Sequence, residues 1–136
     1  GNGNGLPDTE VMDGWQSKHE TVYLSTRMGV WMKKANNKYF TLLAGLSNGA
    51  PTNLYMGITE DKAGVVWFGS SNGVMAYNPR NQQVNYERNT PAAKLFKLQT
   101  DRKNRIWAIS SDGLLCRLSA NEWLQFTTAN SGWPLN

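Results

Sequence analysis

Few side chains in this sequence have the type and spacing that catalysis requires. His19 is the single histidine and Cys116 the single cysteine among the 136 residues, and they are far apart in the sequence. This leaves no set of His and Cys residues at metal-binding spacing and little support for a Cys–His nucleophile pair. His19 lies in the polar segment SKHE, which is typical of a solvated turn. We therefore expect no catalytic residue and no metal site.

The adjacent carboxylates of Glu60 and Asp61 are the other candidates for acid–base chemistry. Neighbouring residues on a strand point to opposite faces, whereas a glycosidase needs two carboxylates that face each other across a sugar. Asp61 and Asp101 each follow an apolar segment and precede a polar turn, which favours a role in stabilising that turn. No glycine-rich segment has the spacing of a phosphate-binding loop, so we also expect no cofactor.

These residues belong to a sequence repeat that occurs three times. TVYLSTRMGVWMKK begins at Thr21, VVWFGSSNGVMAYN at Val65 and RIWAISSDGLLCRL at Arg105. The copies begin 44 and then 40 residues apart, and in each copy an aromatic residue precedes a glycine by six positions. Self-similarity at this period is typical of a propeller or a solenoid.

The middle copy predicts four short strands that follow one another without a helix. They are LYMGIT at 54–59, VVWFGS at 65–70, VMAYN at 74–78 and QVNYE at 83–87. Gly64 can adopt a positive φ in the first turn, and Asn72-Gly73 is a strong signal for a tight hairpin. The unit is therefore predicted to be a four-stranded antiparallel meander. The third copy has the same pattern. The first copy is looser, with VMDGWQ at 11–16 as its predicted first strand.

One sheet of about 40 residues cannot bury both of its faces, but sheets stacked around an axis can. We therefore predict an all-β fold: a β-propeller segment of three four-stranded antiparallel blades, forming a single segment over 1–136. The approximate blade boundaries are 8–45, 51–90 and 91–130. Trp67 and Trp107 are expected to be core aromatic residues wedged between neighbouring sheets.

Charge and hydropathy restrict the partners. The formal net charge is +4, but the basic residues are scattered, and the densest pairs, Lys33-Lys34 and Arg102-Lys103, are expected in solvated turns. A nucleic-acid surface usually needs a continuous basic stripe. No apolar run approaches the roughly 20 residues that span a bilayer. We expect no nucleic-acid partner and no membrane insertion of this segment.

The middle copy, ITEDKAGVVWFGSSNGVMAYNP at 58–79, resembles the two-component-regulator propeller repeat. The shared features are an acidic pair, a glycine, a Trp between apolar residues, Gly-Ser and a later Gly and Tyr. Linker motifs of that repeat also occur, as NGLP at 4–7 and NSGWP at 130–134. The third copy departs from the pattern with Ala108-Ile109 in place of Ile-Gly, and the first lacks the acidic pair and the Trp.

The resemblance implies a function as well as a fold. Such repeats form the extracytoplasmic sensory part of membrane-bound hybrid histidine kinases, notably in gut Bacteroidetes that sense glycan fragments. It therefore implies a periplasmic sensor or ligand-binding fragment of a parent protein anchored in the inner membrane, with a small carbohydrate as the expected ligand. A protein–protein interaction scaffold is the alternative. A propeller-fold lyase or glycosidase is less well supported, because fold alone does not decide function.

Three blades are fewer than the four to eight that usually close a propeller. Two sheet faces, one at each end, would then expose apolar surface that a partner tends to cover. The partner is expected to be either the remaining blades of a longer chain or a second copy. In the second case, a head-to-tail homodimer would form a closed ring of six blades.

Propeller geometry indicates where a ligand would bind, because the first strand of each blade usually lines the central channel. One alternating face of those strands is mixed polar and aromatic, and it consists of Asp13, Trp15, Gly57, Thr59, Lys97 and Gln99. Such a set could stack on a sugar and hydrogen-bond it. A solvated channel wall is the alternative interpretation. Trp133, which replaces the usual Leu of the linker motif, is a further candidate for ligand binding.

Overall fold

The structure is a computed structural model that describes residues 3–6, 10–44, 54–71, 73–87 and 94–127. Within these ranges the chain forms β-strands and no helix. The strands are β1 Val11–Gln16, β2 Val22–Thr26, β3 Gly29–Lys33, β4 Thr41–Ala44, β5 Tyr55–Glu60, β6 Val66–Ser70, β7 Gly73–Asn78, β8 Gln83–Glu87, β9 Leu95–Thr100, β10 Ile106–Ser110, β11 Gly113–Ser119 and β12 Glu122–Phe126. The described part of the chain contains no helix with the length and apolar character needed to cross a membrane.

The strands form three separate four-stranded sheets, each with its strands in sequence order and all neighbours antiparallel. We call β1–β4 blade 1, β5–β8 blade 2 and β9–β12 blade 3. The predicted all-β fold of three meander blades is therefore confirmed. Blade 1 is complete even though its sequence is the least regular, and its first strand spans the predicted residues 11–16.

The hairpin between the second and third strands has the same chemistry in every blade. A hydroxyl at the end of one strand donates a hydrogen bond to the carbonyl of the glycine that begins the next. The pairs are Thr26 and Gly29, Ser70 and Gly73, and Ser110 and Gly113, at 2.9, 2.9 and 2.7 Å. The three glycines have φ values of 99°, 116° and 123°, in the region that a side chain disfavours. This explains why the Ser/Thr-x-x-Gly spacing recurs.

Two apolar layers hold the blades together. Between blades 1 and 2, Tyr23 and Val30 pack against residues such as Phe68 and Tyr77. The Tyr23 ring meets the Phe68 ring edge-on at 5.8 Å, a favoured aromatic geometry. Between blades 2 and 3, Trp67 packs with residues such as Leu98. Every residue of β6 is buried, because blade 2 is covered on both faces.

Trp67 and Trp107 occupy equivalent positions but different environments. Trp67 is 6% exposed and lies between blades 2 and 3, as predicted. Trp107 is only half-buried, and its ring stacks on Phe126 of its own blade at 6.0 Å. No described sheet packs on this face of blade 3, so the prediction that Trp107 is wedged between two sheets stays a prediction.

Glycine allows blade 3 to approach blade 2 closely. A Cβ atom at Gly57 would lie 2.5 Å from the Lys97 Cα, and one at Gly69 would lie 2.5 Å from the Leu95 carbonyl oxygen. Neither distance is compatible with a side chain unless the backbones move apart. The first strand of blade 3 therefore lies directly against glycine backbone of blade 2.

Polar side chains take the place of these glycines between blades 1 and 2. The Asp13 carboxylate accepts a hydrogen bond from the Ile58 amide at 3.0 Å. The fully buried Ser25 hydroxyl donates to the Met56 carbonyl. Equivalent positions of the first two strands thus form both contacts between blades: polar side chains in blade 1 hydrogen-bond to blade 2, and glycines in blade 2 let the backbone of blade 3 approach.

Candidate functional site

A cleft of about 450 Å³ opens where the first strands of the three blades meet. We call it the inner cleft. It is lined by Trp15, Thr59, Glu60, Lys97, Leu98, Gln99 and Thr100. Four of the residues that the sequence indicated, namely Trp15, Thr59, Lys97 and Gln99, therefore border one concave surface.

Glu60 fixes the orientation of the Trp15 indole. The Trp15 Nε1 donates to Glu60 Oε1 at 3.2 Å, and the Lys18 amide donates to the same oxygen at 3.1 Å. The indole is half-buried, so part of its surface remains accessible in the cleft. From the sequence, Glu60 is a candidate acid, and no sequence signal relates it to a tryptophan 45 positions earlier.

Thr59 and Asp13 are used in contacts between blades and do not present open polar groups. Thr59 is 2% exposed, and its hydroxyl lies 3.0 Å from that of Thr100. Asp13 is bonded to the Ile58 amide and does not line the cleft. On this alternating face, Asp13 and Thr59 are therefore engaged between blades, whereas Trp15, Lys97 and Gln99 remain accessible in the inner cleft.

Lys97 and Gln99 are the exposed polar side chains of the inner cleft. Both lie on β9, separated by one residue, so they point to the same side of the strand. Between them they offer an ammonium and a carboxamide, which together provide several donors and one acceptor. Trp133, the remaining candidate, lies outside the described residues.

A second groove of about 540 Å³ continues from the inner cleft along the turns that follow the first strands. We call it the rim groove, and it shares Trp15, Glu60 and Thr100 with the inner cleft. One basic side chain from each blade lines the rim groove, namely Lys18, Lys62 and Arg102. The Lys18 ammonium donates to the Lys62 carbonyl at 3.0 Å, and the Lys62 ammonium donates to the Arg102 carbonyl.

The aspartates of the repeat stabilise turns, as the sequence indicated. Asp61 Oδ1 accepts from the amides of Ala63 and Val65 at 2.9 and 3.0 Å. Its second oxygen, Oδ2, accepts from the Trp67 indole at 3.1 Å. One carboxylate therefore closes the turn and positions the tryptophan of the repeat. In blade 1 the Ser17 hydroxyl closes the corresponding turn.

Asp101 repeats this arrangement in blade 3. Its carboxylate accepts from the Trp107 indole at 2.7 Å, from the amides of Lys103 and Arg105, and from the Arg105 guanidinium at 2.7 Å. The Trp107 hydrogen bond, followed by those from Arg105 and Lys103, holds the pKa of Asp101 well below its ordinary value. Asp101 is therefore a poor proton donor near neutral pH.

Neither of the other titratable candidates forms a reactive site. Among the described residues, no group of three or more His, Cys, Asp and Glu side chains could hold a metal ion. His19 is exposed in a turn. Cys116 is 2% exposed, and burial raises the pKa of its thiol, which lowers the fraction of reactive thiolate.

A partly buried ion pair between blades 2 and 3 could not be found from the sequence. Glu87 accepts from the Arg117 guanidinium at 2.8 Å, and it also accepts from the Trp123 indole at 3.2 Å. The guanidinium carbon of Arg117 lies 4.5 Å from the centre of the Trp67 ring. Glu87 and Arg117 are 30 positions apart, and neither lies in a motif that could have revealed the pair.

Comparison with known proteins supports the fold. No family model matches the chain, and no curated protein matches it. Among solved structures, the extracellular domain of the hybrid two-component system BT3049 from B. thetaiotaomicron is 22% identical with a TM-score of 0.72, covering 89% of this chain and 17% of that one. For the corresponding domain of BT4673 from B. thetaiotaomicron, the identity is 18%, the TM-score 0.79 and the coverage 95% and 18%.

An enzyme has the same arrangement of blades. A catalytically inactive virginiamycin B lyase from Staphylococcus aureus with Quinupristin is 14% identical with a TM-score of 0.75, and the match covers 93% of this chain and 45% of that one. This chain therefore spans less than half the length of each of these three proteins. Its fold is that of the extracellular domains of hybrid two-component systems, which confirms at the level of fold the resemblance seen in the middle repeat.

Proposed function

We propose that this chain is a non-enzymatic, ligand-binding portion of an extracytoplasmic sensor propeller, and that a small carbohydrate binds in the inner cleft. The parent protein would be a two-component signalling protein anchored in the inner membrane, with the propeller in the periplasm. The observation that supports the ligand site is the meeting of Trp15 of blade 1 with Lys97 and Gln99 of blade 3 in one cleft.

The cleft has the chemistry and size that a sugar requires. An indole offers a flat apolar surface for the C–H face of a pyranose, and the ammonium of Lys97 and the carboxamide of Gln99 can hydrogen-bond its hydroxyl groups. Glu60 keeps the Trp15 indole in place before a ligand arrives, which reduces the entropy lost on binding. The volume of about 450 Å³ lies within the range of small-molecule sites.

Ligand binding at this position would affect the relative arrangement of blades. Trp15 and Gln99 belong to blades that are separated by blade 2, so one ligand would contact groups on both. A ligand that binds one blade arrangement better than another shifts the population towards it. Such a shift is a physical route from binding to signalling.

A catalytic function has less support than binding. The proton-transfer groups closest to the cleft are already engaged: Glu60 Oε1 accepts two hydrogen bonds, and the pKa of Asp101 is held low. General acid catalysis near neutral pH instead requires a raised carboxyl pKa. The similarity to a lyase concerns the fold and is compatible with a binding function.

A thermal-shift screen against a panel of oligosaccharides tests the proposal. A ligand of the native state raises the melting temperature, and at about 100 times its dissociation constant it stabilises by about 2.7 kcal/mol. Gln99→Ala should reduce the shift with little effect on the unliganded protein, because the side chain is exposed. Lys103→Ala, on an exposed turn outside the cleft, is the matched control.

Three results would reject this function. If no oligosaccharide raised the melting temperature, or if Gln99→Ala responded like the wild type, the inner cleft would not be a sugar site and the scaffold function would be favoured. If chromatography showed that an added oligosaccharide was cleaved, the chain would be an enzyme.

A further inference from the structure

Three basic side chains follow one another along the rim groove at the same position of the repeat. Lys18, Lys62 and Arg102 each lie in the turn after the first strand of their blade, and all three are exposed. Because these turns lie at the ends of the strands, blades stacked on the outer faces of blades 1 and 3 leave the groove open. The rim groove therefore stays accessible in a longer propeller.

The position of each basic residue is fixed by the next blade. The Lys18 amide donates to Glu60 at 3.1 Å, and the Lys62 amide donates to Asn104 Oδ1 at 2.8 Å. The side chains are held as well, because the Lys18 ammonium donates to the Lys62 carbonyl and the Lys62 ammonium to the Arg102 carbonyl. The two ammonium groups are thus in place before a ligand binds, which lowers the entropy cost of binding.

These contacts hold the lysines without neutralising their charge. A carbonyl oxygen carries no net charge, and an ammonium has three N–H donors. The contacts described use one ammonium donor of Lys18 and one of Lys62. Within the described part of the chain, neither lysine nor Arg102 forms an ion pair. Further donors on three cations are therefore left for a ligand.

The carboxylates that line the same groove are engaged with protein donors instead. Asp61 uses both of its oxygens on its own turn and on the Trp67 indole. Both oxygens of Asp101 are used in the same way. These two residues are half-buried, whereas the basic residues are exposed. The groove surface consequently offers charged N–H donors and few free acceptors, which favours a carboxylate or sulfate over a cation.

We propose that the ligand of the inner cleft is an acidic oligosaccharide, whose carboxylate or sulfate groups bind Lys18, Lys62 and Arg102 in the rim groove. Because this names the charge of the same carbohydrate ligand, it rests on the proposed function. The two cavities share the Trp15 indole. A sugar ring stacked on that indole therefore places its acidic substituents, or those of the next ring, beside the basic residues.

Calorimetric titration with uronic-acid, sulfated and neutral oligosaccharides of equal length tests the charge of the ligand. At least one acidic class should bind about tenfold more tightly than the neutral one, since several exposed ion pairs add up. This preference should shrink as salt is raised from roughly 0.05 M to roughly 0.5 M, because salt screens exposed charges. Comparing the two acidic classes distinguishes a carboxylate from a sulfate as the recognised group.

Substitutions in the groove locate the effect. Arg102→Gln removes one charge and should weaken binding of the acidic sugar by about threefold to fivefold, with no change for the neutral sugar. Lys62→Gln keeps N–H donors but loses the charge, and it should behave in the same way. Lys103→Gln is the matched control, because Lys103 is exposed in the same turn as Arg102 but does not line the groove. Circular dichroism of each variant confirms that a loss of binding is not a loss of fold.

The outcomes separate this proposal from the proposed function. If the neutral sugar bound as tightly as both acidic ones, or if acidic binding did not respond to salt and to the two substitutions, the acidic ligand would be rejected and the sugar site retained. If none of the sugars bound, the proposed function would be rejected as well. If polyglutamate bound as tightly as the acidic sugar and Arg102→Gln weakened it equally, the groove would attract any polyanion and the acidic sugar would again be rejected.

Discussion

Replacing Gly69 by alanine tests the contact between blades 2 and 3, because the contact decides whether the substitution lowers or raises the free energy of unfolding. In an isolated strand this change removes the conformational penalty of glycine and should stabilise by roughly 0.5–1 kcal/mol. In the stacked blades the new Cβ would lie 2.5 Å from the Leu95 carbonyl oxygen and 2.9 Å from the Leu95 Cβ. Both atoms are rigidly placed, so the strands must separate.

The size of the effect follows from the cost of overpacking. Inserting a methyl group into a tightly packed contact typically costs about 1–3 kcal/mol. We expect Gly69→Ala to fall in the upper half of that range, because backbone and not a flexible side chain must move. Urea unfolding followed by tryptophan fluorescence measures this loss of stability. The variant should unfold at a lower urea concentration than the wild type, with a similar dependence of the unfolding free energy on urea.

Gly14→Ala is the matched control, measured at protein concentrations low enough to keep the chain monomeric. Its Cβ would lie 3.2 Å from the flexible end of the Leu24 side chain and 3.9 Å from the Tyr23 carbonyl oxygen, an ordinary contact distance, so a neutral or slightly stabilising effect is expected. If Gly69→Ala proved as stable as the wild type or more so, blade 3 would not lie against blade 2 as described. The stacking argument would then be wrong.

Three further predictions concern charged and reactive groups. Asp101→Asn should lower the melting temperature at neutral pH. The pKa of Asp101 is lower in the folded than in the unfolded protein, so its carboxylate stabilises fully above about pH 4 and loses this effect as pH falls through the folded pKa. The difference in melting temperature between Asp101→Asn and the wild type should therefore narrow below about pH 4. A difference that widened there would contradict the lowered pKa of Asp101. Arg117→Met removes the ion-pair partner of Glu87, which keeps its hydrogen bonds from the Asn121 amide and the Trp123 indole, and should cost about 1.5–3 kcal/mol in urea unfolding. Replacing both residues by Met should recover most of the loss; equal losses would mean that the pair is not coupled. Cys116 should react with Ellman's reagent far more slowly than free cysteine until the protein unfolds, since its thiol is buried and its pKa raised; rapid labelling of the native protein would refute this.

Much of the fold could be predicted because the information is local and repeated. The alternation of apolar residues, the Asp that closes one turn and the Ser/Thr-x-x-Gly of the next all lie within a few residues of each other. The same signals occur three times, so an ambiguous copy can be interpreted from a clear one. For that reason the sequence predicts β1 at 11–16 even though blade 1 lacks the acidic pair.

The candidate site could be predicted only in part. Period-two alternation shows that Asp13 and Trp15 share a face, but it cannot show whether that face borders a channel or the next blade. That depends on how the sheets stack, which brings Asp13 to the Ile58 amide and Trp15 to Glu60. Contacts over such separations follow from tertiary packing.

The burial of the middle blade on both sides has a consequence for how the molecule opens. Each sheet gains its stability from its neighbours, and blade 2 has two described neighbours whereas the outer blades have one each. Backbone amides of β6 should therefore exchange deuterium last, and those of β1 and β12 first. Proteolysis under native conditions should trim the molecule from its ends inward, leaving the second repeat as the last resistant core.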